Sequence, residues 1–133
     1  MKWILGVFLA STTLLANTMG EPVYTLKRVC LESLESHPLQ LEITAMGEVS
    51  SSGWTQATLQ QRRYKAPPAD GILDLDFVAT RPQGIALTVI SPIQGKLRFQ
   101  APKWLKGVRI HSQSNALALS LQGGTCTGEH PAY

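Results

Sequence analysis

The sequence lacks the features that mark several large classes of protein. Its longest apolar run, residues 3–16, has about 14 residues, fewer than the ~20 that a membrane-spanning helix needs. Apolar residues follow no heptad or sustained helical spacing, and no segment is repeated. The basic residues are scattered, with Lys27-Arg28 and Arg62-Arg63 as the only doublets, so there is no basic stripe for nucleic acid. These absences argue against a transmembrane anchor, a coiled coil and a nucleic-acid-binding protein.

Recognisable catalytic motifs are also missing. There is no Gly-x-Ser-x-Gly, and no serine pairs recognisably with a histidine and an aspartate. The three histidines, His37, His111 and His130, share no local spacing that would hold a metal ion. We therefore expect no metal site and no cofactor, and histidines that are exposed or structural.

The N-terminal segment has the parts of a secretory signal peptide. Lys2 supplies a positive charge, residues 3–16 are apolar, and Thr18 and Gly20 provide small side chains before a cleavage site. Cleavage after about Gly20 leaves Glu21 as the new N-terminus. We therefore expect a periplasmic or secreted protein whose residues 21–133 form a single domain.

Two cysteines, Cys30 and Cys126, follow the predicted cleavage site. They form no Cys-x-x-Cys motif, and an even number of cysteines in an exported chain indicates a disulfide rather than a redox or metal-binding pair. A bond between them predicts that the first strand and the C-terminal segment are neighbours in space.

Short alternating segments, separated by Gly, Pro, Ser and Asn, make up the sequence after residue 20. Apolar residues at every second position indicate strands with one buried face. The run at residues 85–90 is more uniformly apolar and is expected to be a central strand. Strands are expected at residues 23–34, 39–45, 58–64, 72–79, 85–90, 107–112 and 116–121, with another around Leu97 and Phe99. The side chains predicted to face inward are Leu39, Leu41, Ile43, Ala45, Leu73, Leu75, Phe77 and Ala79; those predicted to face outward are Asp74, Asp76 and Val78.

Seven or eight short strands, with turn residues between them and no predicted helix, indicate an all-β fold. We expect an antiparallel sandwich of immunoglobulin-like architecture. A small closed barrel is the alternative, because strand number does not determine topology.

Several motifs in the middle of the chain occur together in a known group of sequences. They are Gly53-Trp54-Thr55, Pro67-Pro68-Ala69-Asp70-Gly71-Ile72, Asp74-Leu75-Asp76-Phe77-Val78-Ala79, Pro82-Gln83-Gly84 and Lys106-Gly107-Val108-Arg109. In these motifs the chain resembles small, exported, uncharacterised bacterial proteins. Gln56-Ala57 stands where more typical members have Asn-Pro. The resemblance implies a secreted β-rich domain and supplies no catalytic residue.

Asp74 and Asp76 are the strongest candidates for chemistry. Two positions apart on a strand, they lie on one face about 6.5–7 Å apart, a spacing that suits acid/base work or a hard cation. The alternative is a solvated face in which Arg62, Arg63 or Lys65 on a neighbouring strand pairs with them. We weigh the second interpretation more heavily.

Aromatic residues beside basic ones suggest a contact surface. Exposed rings at loops stack on sugars or anchor a protein partner. We therefore predict a non-enzymatic binding or interaction module of the cell envelope, monomeric or weakly associating, whose partner is an envelope protein or a glycan. One alternative is a small hydrolase or cation-binding domain using Asp74 and Asp76, and another is an assembly component that associates through an edge strand. The contact candidates are Trp54, Arg63, Tyr64, Lys103, Trp104 and Lys106.

Overall fold

The computed structural model describes residues 20–34, 39–122 and 125–129. Every regular element within these ranges is a β-strand, which confirms the all-β prediction. The predicted signal peptide, up to residue 19, lies outside the described residues. The nine strands are β1 (Glu21–Pro22), β2 (Thr25–Leu34), β3 (Gln40–Val49), β4 (Thr55–Gln61), β5 (Ile72–Thr80), β6 (Ser91–Gln100), β7 (Gly107–His111), β8 (Ala116–Ser120) and β9 (Cys126–Gly128).

The strands form two sheets that pack face to face. One sheet has the order β6-β3-β2-β9, and all its pairs are antiparallel. In the other sheet, β5 lies between β4 and β7, with β8 beyond β7 and β1 against the end of β5. No strand of one sheet pairs with a strand of the other along the described chain. The prediction of a sandwich is therefore confirmed, and the alternative of a small closed barrel is wrong.

One pair departs from the antiparallel arrangement that the sequence predicts. β5 and β7 run parallel, with Ile72 opposite Gly107 and Asp76 opposite His111. The chain leaves β5, runs back through β6 in the facing sheet, and returns in β7 in the original direction. A parallel pair requires such a crossover connection, and here β6 is part of it.

Phe77 lies at the centre of the core. Its side chain is fully buried, and its ring points toward two glycines of the facing sheet. A Cβ atom at Gly95 would lie 2.9 Å from one edge of the ring, and one at Gly47 would lie 3.3 Å from the other. The ring therefore occupies space that these two residues leave open. The other large side chains with almost no exposure are Val23, Val29, Ile43, Val49, Leu75, Val108 and Ile110.

Alternation along β3 and β5 is confirmed with two exceptions. Leu39 is 42% exposed because it precedes the first residue of β3. Val78, predicted to face solvent, is 6% exposed because the chain at Gly20 lies across it. The residues that face inward as predicted are Leu41, Ile43, Ala45, Leu73, Leu75, Phe77 and Ala79.

β4 begins three residues before the predicted strand at residues 58–64. It starts at Thr55 and contains a bulge between Thr55 and Thr58. Within the bulge, Gln56 adopts a φ of 54° and accepts a hydrogen bond from the Thr80 hydroxyl at 3.0 Å. The strand ends at Gln61, so the last three residues of the predicted strand, 62–64, lie in the loop that follows.

The central strand predicted at residues 85–90 is wrong. This segment is a loop between β5 and β6, and its aliphatic side chains are exposed. A uniformly apolar strand needs a covering layer on both faces. A two-layer sandwich covers only one face of each strand, so this fold has no place for such a segment.

The predicted disulfide between Cys30 and Cys126 is confirmed. The two cysteines are directly opposite each other on the paired strands β2 and β9. The sulfur bond therefore fixes the last described strand to the edge of β2, which makes the first long strand and the C-terminal segment neighbours, as expected.

Candidate functional site

Five of the six predicted contact residues meet at one end of the sandwich. Two loops meet there: the one after β4, and the one between β6 and β7. The rings of Tyr64 and Trp104 pack edge to face with centroids 6.4 Å apart. We define the basic end as Arg63, Tyr64, Lys65, Lys103, Trp104 and Lys106.

A tight turn before β5 holds the two loops together. The carboxylate of Asp70 accepts a hydrogen bond from the backbone N–H of Ile72 at 3.0 Å, and Gly71 has a φ of 71° that favours glycine. The Gly71 carbonyl accepts a hydrogen bond from the N–H of Lys106 at 2.8 Å. The predicted Asp-Gly turn thus positions the loop that carries Lys103, Trp104 and Lys106.

Tyr64 is fixed in place by its hydroxyl. The hydroxyl donates to the Asp74 carboxylate at 3.0 Å and accepts from the Asp74 backbone N–H at 2.9 Å. Burial, the largest influence, raises the pKa of Tyr64 above its usual value. The ring is nevertheless 38% exposed, so a rigid aromatic surface is presented to solvent next to Trp104.

A groove runs from the basic end along the open side of the sandwich. It has a volume of about 1060 Å³ and lies where the edge strands β4 and β6 of the two sheets approach each other. Amide, guanidinium, aromatic and aliphatic groups line it, together with one carboxylate, that of Asp76, which is paired with Arg62. They belong to Leu59, Gln60, Gln61, Arg62, Arg63, Tyr64, Asp76 and Leu97.

Four cations lie in the two loops that carry the aromatic pair. Arg63, Lys65, Lys103 and Lys106 are exposed, and within the described residues none of them forms an ion pair. Asp70, the nearest acid in the turn, lies 3.8 Å from Arg109. The basic end therefore carries positive charge that the neighbouring side chains do not neutralise.

Asp74 is the centre of a hydrogen-bond network on the outer face of β5. Its carboxylate lies 2.8 Å from Nε of Arg109 and 2.7 Å from Nε2 of His111, in addition to the Tyr64 contact. The Arg109 guanidinium, followed by His111 and Tyr64, holds the pKa of the Asp74 carboxyl well below its usual range, although burial opposes this. In the parallel β5–β7 pair, Arg109 lies opposite Asp74 and His111 lies opposite Asp76, so both side chains can reach the Asp74 carboxylate.

Asp76 has a different partner. Arg62 binds it through two atoms, Nε at 3.0 Å and Nη2 at 2.9 Å, in the cross-strand pairing that the sequence suggested for Arg62. Arg63 and Lys65 make no such contact with either acid. Each carboxylate is thus bonded to its own cation, which favours the interpretation of the acid pair as an ion-paired strand face.

Replacing Asp74 with asparagine is expected to lower the free energy of unfolding by about 1–2 kcal/mol at pH 7, the scale of a lost charged hydrogen bond near the surface. Because folding depresses the pKa of this carboxyl, its stabilisation is present above the unfolded pKa of about 3.9 and is lost progressively as pH falls from there through the lower folded pKa. Urea unfolding at pH 7 and at a series of pH values below about 4 measures both effects.

Asp76→Asn is the matched control for that experiment. Its ion pair is 41–45% exposed, so a loss below about 1 kcal/mol is expected. Equal stability of Asp74→Asn and the wild type at pH 7 would contradict the structural role. Retained stability in the double variant, with loss of cation-dependent melting, would favour the cation-site alternative instead.

Trp54, the sixth contact candidate, lies at the opposite end of β4. Its ring packs partly against the core, its indole N–H donates to the Ser51 hydroxyl at 3.1 Å, and the Arg81 guanidinium lies 5.6 Å from the ring centre. The structure therefore separates Trp54 from the basic end.

One of the three histidines lies within the described residues. His111 is bound to Asp74, and His37 and His130 lie outside the described residues. No group of three or more His, Cys, Asp or Glu side chains suited to a metal ion occurs in the ranges that the structure covers. Over the same ranges, no helix is long and apolar enough to cross a membrane.

Two features of the molecule carry no recognisable signal in the sequence. Arg109 and His111 are 35 and 37 residues from Asp74, and only the parallel pairing brings them together. The second is the exposed aliphatic loop at residues 85–90, which the sequence predicts to be a central strand. Comparisons with protein-family models, curated proteins and solved structures found no match. The resemblance to small exported bacterial proteins therefore stays a prediction.

Proposed function

We propose that this chain is an exported, non-enzymatic binding module of the cell envelope whose groove and basic end hold an acidic glycan. One observation supports this most directly: the two loops that carry a fixed, exposed aromatic ring also carry four cations without an acidic partner in the described chain. Positive charge focused beside a groove attracts anionic ligands.

The groups at this end suit a sugar that bears carboxylates or phosphates. Guanidinium groups bind such anions with two parallel hydrogen bonds, and lysines supply further charge. The exposed face of Tyr64 offers an apolar surface with a polar rim. The groove is open along the side of the sandwich, which favours an extended polymer over an enclosed small molecule.

The acidic residues support binding over catalysis. General acid/base chemistry needs a carboxyl that can exchange a proton near the working pH. The pKa of Asp74 is instead held far below that range, and Asp76 is bound at both oxygens by Arg62. The two carboxylates on which the hydrolase alternative depends are therefore bound to cations and are not suited to proton transfer.

Titration of the purified chain with polygalacturonate, a polymer of uronic acid, tests the proposal. We expect binding that weakens as salt rises from low to physiological concentration and no binding to neutral dextran. Arg63→Ala is expected to reduce the affinity about tenfold, the scale of one charge-assisted hydrogen bond. Lys103→Ala with Lys106→Ala is expected to reduce it further.

Lys96→Ala is the matched control because it removes one cation from the outward face of β6, away from the groove. If Lys96→Ala and Arg63→Ala lower the affinity equally, the binding depends only on the net charge of the protein, and a specific binding site is contradicted. If the polymer fails to bind, cross-linking in the intact envelope distinguishes the partner classes. A single stoichiometric protein that is lost in Trp104→Ala would replace the glycan with a protein partner.

A further inference from the structure

The loop between β5 and β6 exposes a cluster of aliphatic side chains. Ile85 is 104% exposed, Leu87 70%, Val89 50% and Ile90 63%. The surrounding sequence, residues 82–92, contains no charged residue. Scattered apolar residues are ordinary on a protein surface, but a contiguous cluster of this kind marks a place of interaction.

The backbone of this loop is held by the loop between β3 and β4. Ser52 donates its N–H to the Leu87 carbonyl and accepts the Leu87 N–H at its hydroxyl, both at 3.0 Å. Beside them, Gly53 packs closely against Pro82. The aliphatic side chains are therefore directed outward by a fixed support, and little ordering entropy is lost when they bind.

Aromatic and basic side chains lie at the same end of the sandwich as this loop, closer to the body of the domain. Tyr24 is 48% exposed, and with Trp54, Arg81 and Gln113 it lines a shallow cleft. Glu21 pairs with Arg81 through both of its carboxylate oxygens. Aromatic residues behind an aliphatic tip are the arrangement that suits the boundary between headgroups and acyl chains.

A second copy of the chain is a poor occupant for this surface. Four side chains on one convex loop bury a few hundred Å² at most, well below the ~1,200 Å² of a specific stable interface. A lipid surface needs no complementary shape and takes up apolar side chains according to the area buried.

We propose that residues 85–90 insert shallowly into a lipid bilayer and hold the domain at its surface. Only side chains enter the acyl region, because the loop still has backbone groups that need water. The Glu21–Arg81 ion pair neutralises the charge at this end, so the attachment depends on apolar burial and is insensitive to salt. This inference is independent of the proposed glycan site.

The attachment also sets an orientation. β5 and β6, with 9 and 10 residues, separate the loop from the basic end by roughly 30 Å. The basic end therefore faces away from the lipid, where a polymer reaches it.

Cosedimentation with vesicles tests the attachment, using chain purified from the exported fraction with its disulfide intact. Wild-type protein is expected to bind phosphatidylcholine vesicles equally at 0.1 and 0.5 M salt. Leu87→Asp and Ile85→Asp are each expected to lower the partition coefficient at least about tenfold, as the loss of a buried aliphatic side chain predicts. Leu39→Asp, at the opposite end, is the control and leaves binding unchanged.

Quenching by brominated lipid tests the orientation. In Trp104→Phe, Trp54 is the one tryptophan after residue 20, and its fluorescence is expected to be quenched. In Trp54→Phe, the remaining Trp104 is expected to be unaffected. Thermal melts of each variant show whether it is folded.

Four results would overturn the proposal. The first two are wild-type protein that stays in the supernatant and folded Leu87→Asp that binds as well as wild type. The third is binding confined to anionic vesicles and abolished by Lys103→Glu with Lys106→Glu, which would assign lipid contact to the basic end. The fourth is a dimer in sedimentation velocity that Leu87→Asp converts to a monomer, which would make a second copy the occupant.

Discussion

Replacing Phe77 with alanine is expected to lower the free energy of unfolding by about 3–5 kcal/mol, the range for truncating a fully buried aromatic side chain. The ring has no exposed surface and fills the space over Gly47 and Gly95 in the facing sheet. The backbone of both sheets surrounds this space, so it cannot readily close around a smaller side chain. Chemical unfolding in urea at constant pH measures the loss.

A reciprocal substitution provides the control. Gly95→Ala places a methyl group 2.9 Å from the Phe77 ring and is expected to destabilise the fold by about 1–3 kcal/mol through overpacking. Adding Phe77→Leu to Gly95→Ala should recover part of that loss, because the smaller side chain makes room for the methyl group. Additive effects in the double variant would show that the two positions do not share this space.

Removing the Cys30–Cys126 bond is expected to lower the free energy of unfolding by about 2–5 kcal/mol. The bond closes a segment with a sequence separation of 96, and chain-entropy estimates for loops near this length give up to ~4.7 kcal/mol. A double Cys30→Ala, Cys126→Ala variant, measured by thermal and urea unfolding, tests this. β9 has only three residues, so its detachment is the first structural change we expect.

Reductant gives a control that separates the bond from the side chains. Wild-type protein in dithiothreitol should melt at nearly the same temperature as the double alanine variant, and dithiothreitol should not affect the variant. Wild-type protein with an unchanged melting temperature after complete reduction, confirmed by thiol titration, would contradict a stabilising role.

Features of the fold that depend on local pattern were predictable from the sequence. The alternation in β5 places Leu75 and Phe77 inside and Asp76 outside because successive side chains on a strand point to opposite faces. The disulfide followed from the number of cysteines and the expected compartment.

Two kinds of feature were not predictable: the pairing of strands that are far apart in the sequence, and the number of layers that pack on a strand. The parallel β5–β7 pair joins segments whose sequences carry no mark of each other. Residues 85–90 have the composition of a buried strand, and composition does not say whether a second covering layer exists. The exposed position of this loop follows from the architecture and not from its own residues.

In the candidate site, too, the individual residues were predictable from local sequence and their arrangement in space was not. Arg63, Tyr64, Lys103, Trp104 and Lys106 were identified one at a time, as aromatic and basic residues next to turns. Their convergence depends on the turn at Gly71, which joins the loops through the Lys106 N–H. Trp54 had the same local signal, and β4 places it at the far end of the molecule.

The position of Cys126 has a consequence for the order of events during biosynthesis. A polypeptide emerges with its N-terminus first, so the Cys30 thiol exists for the time that 96 further residues take to follow. Throughout this interval the edge of β2 that β9 later covers is open to other strands, and the thiol is open to other thiols. In an oxidising compartment, a bond between the Cys30 thiols of two incomplete chains therefore competes with the native bond until Cys126 has followed.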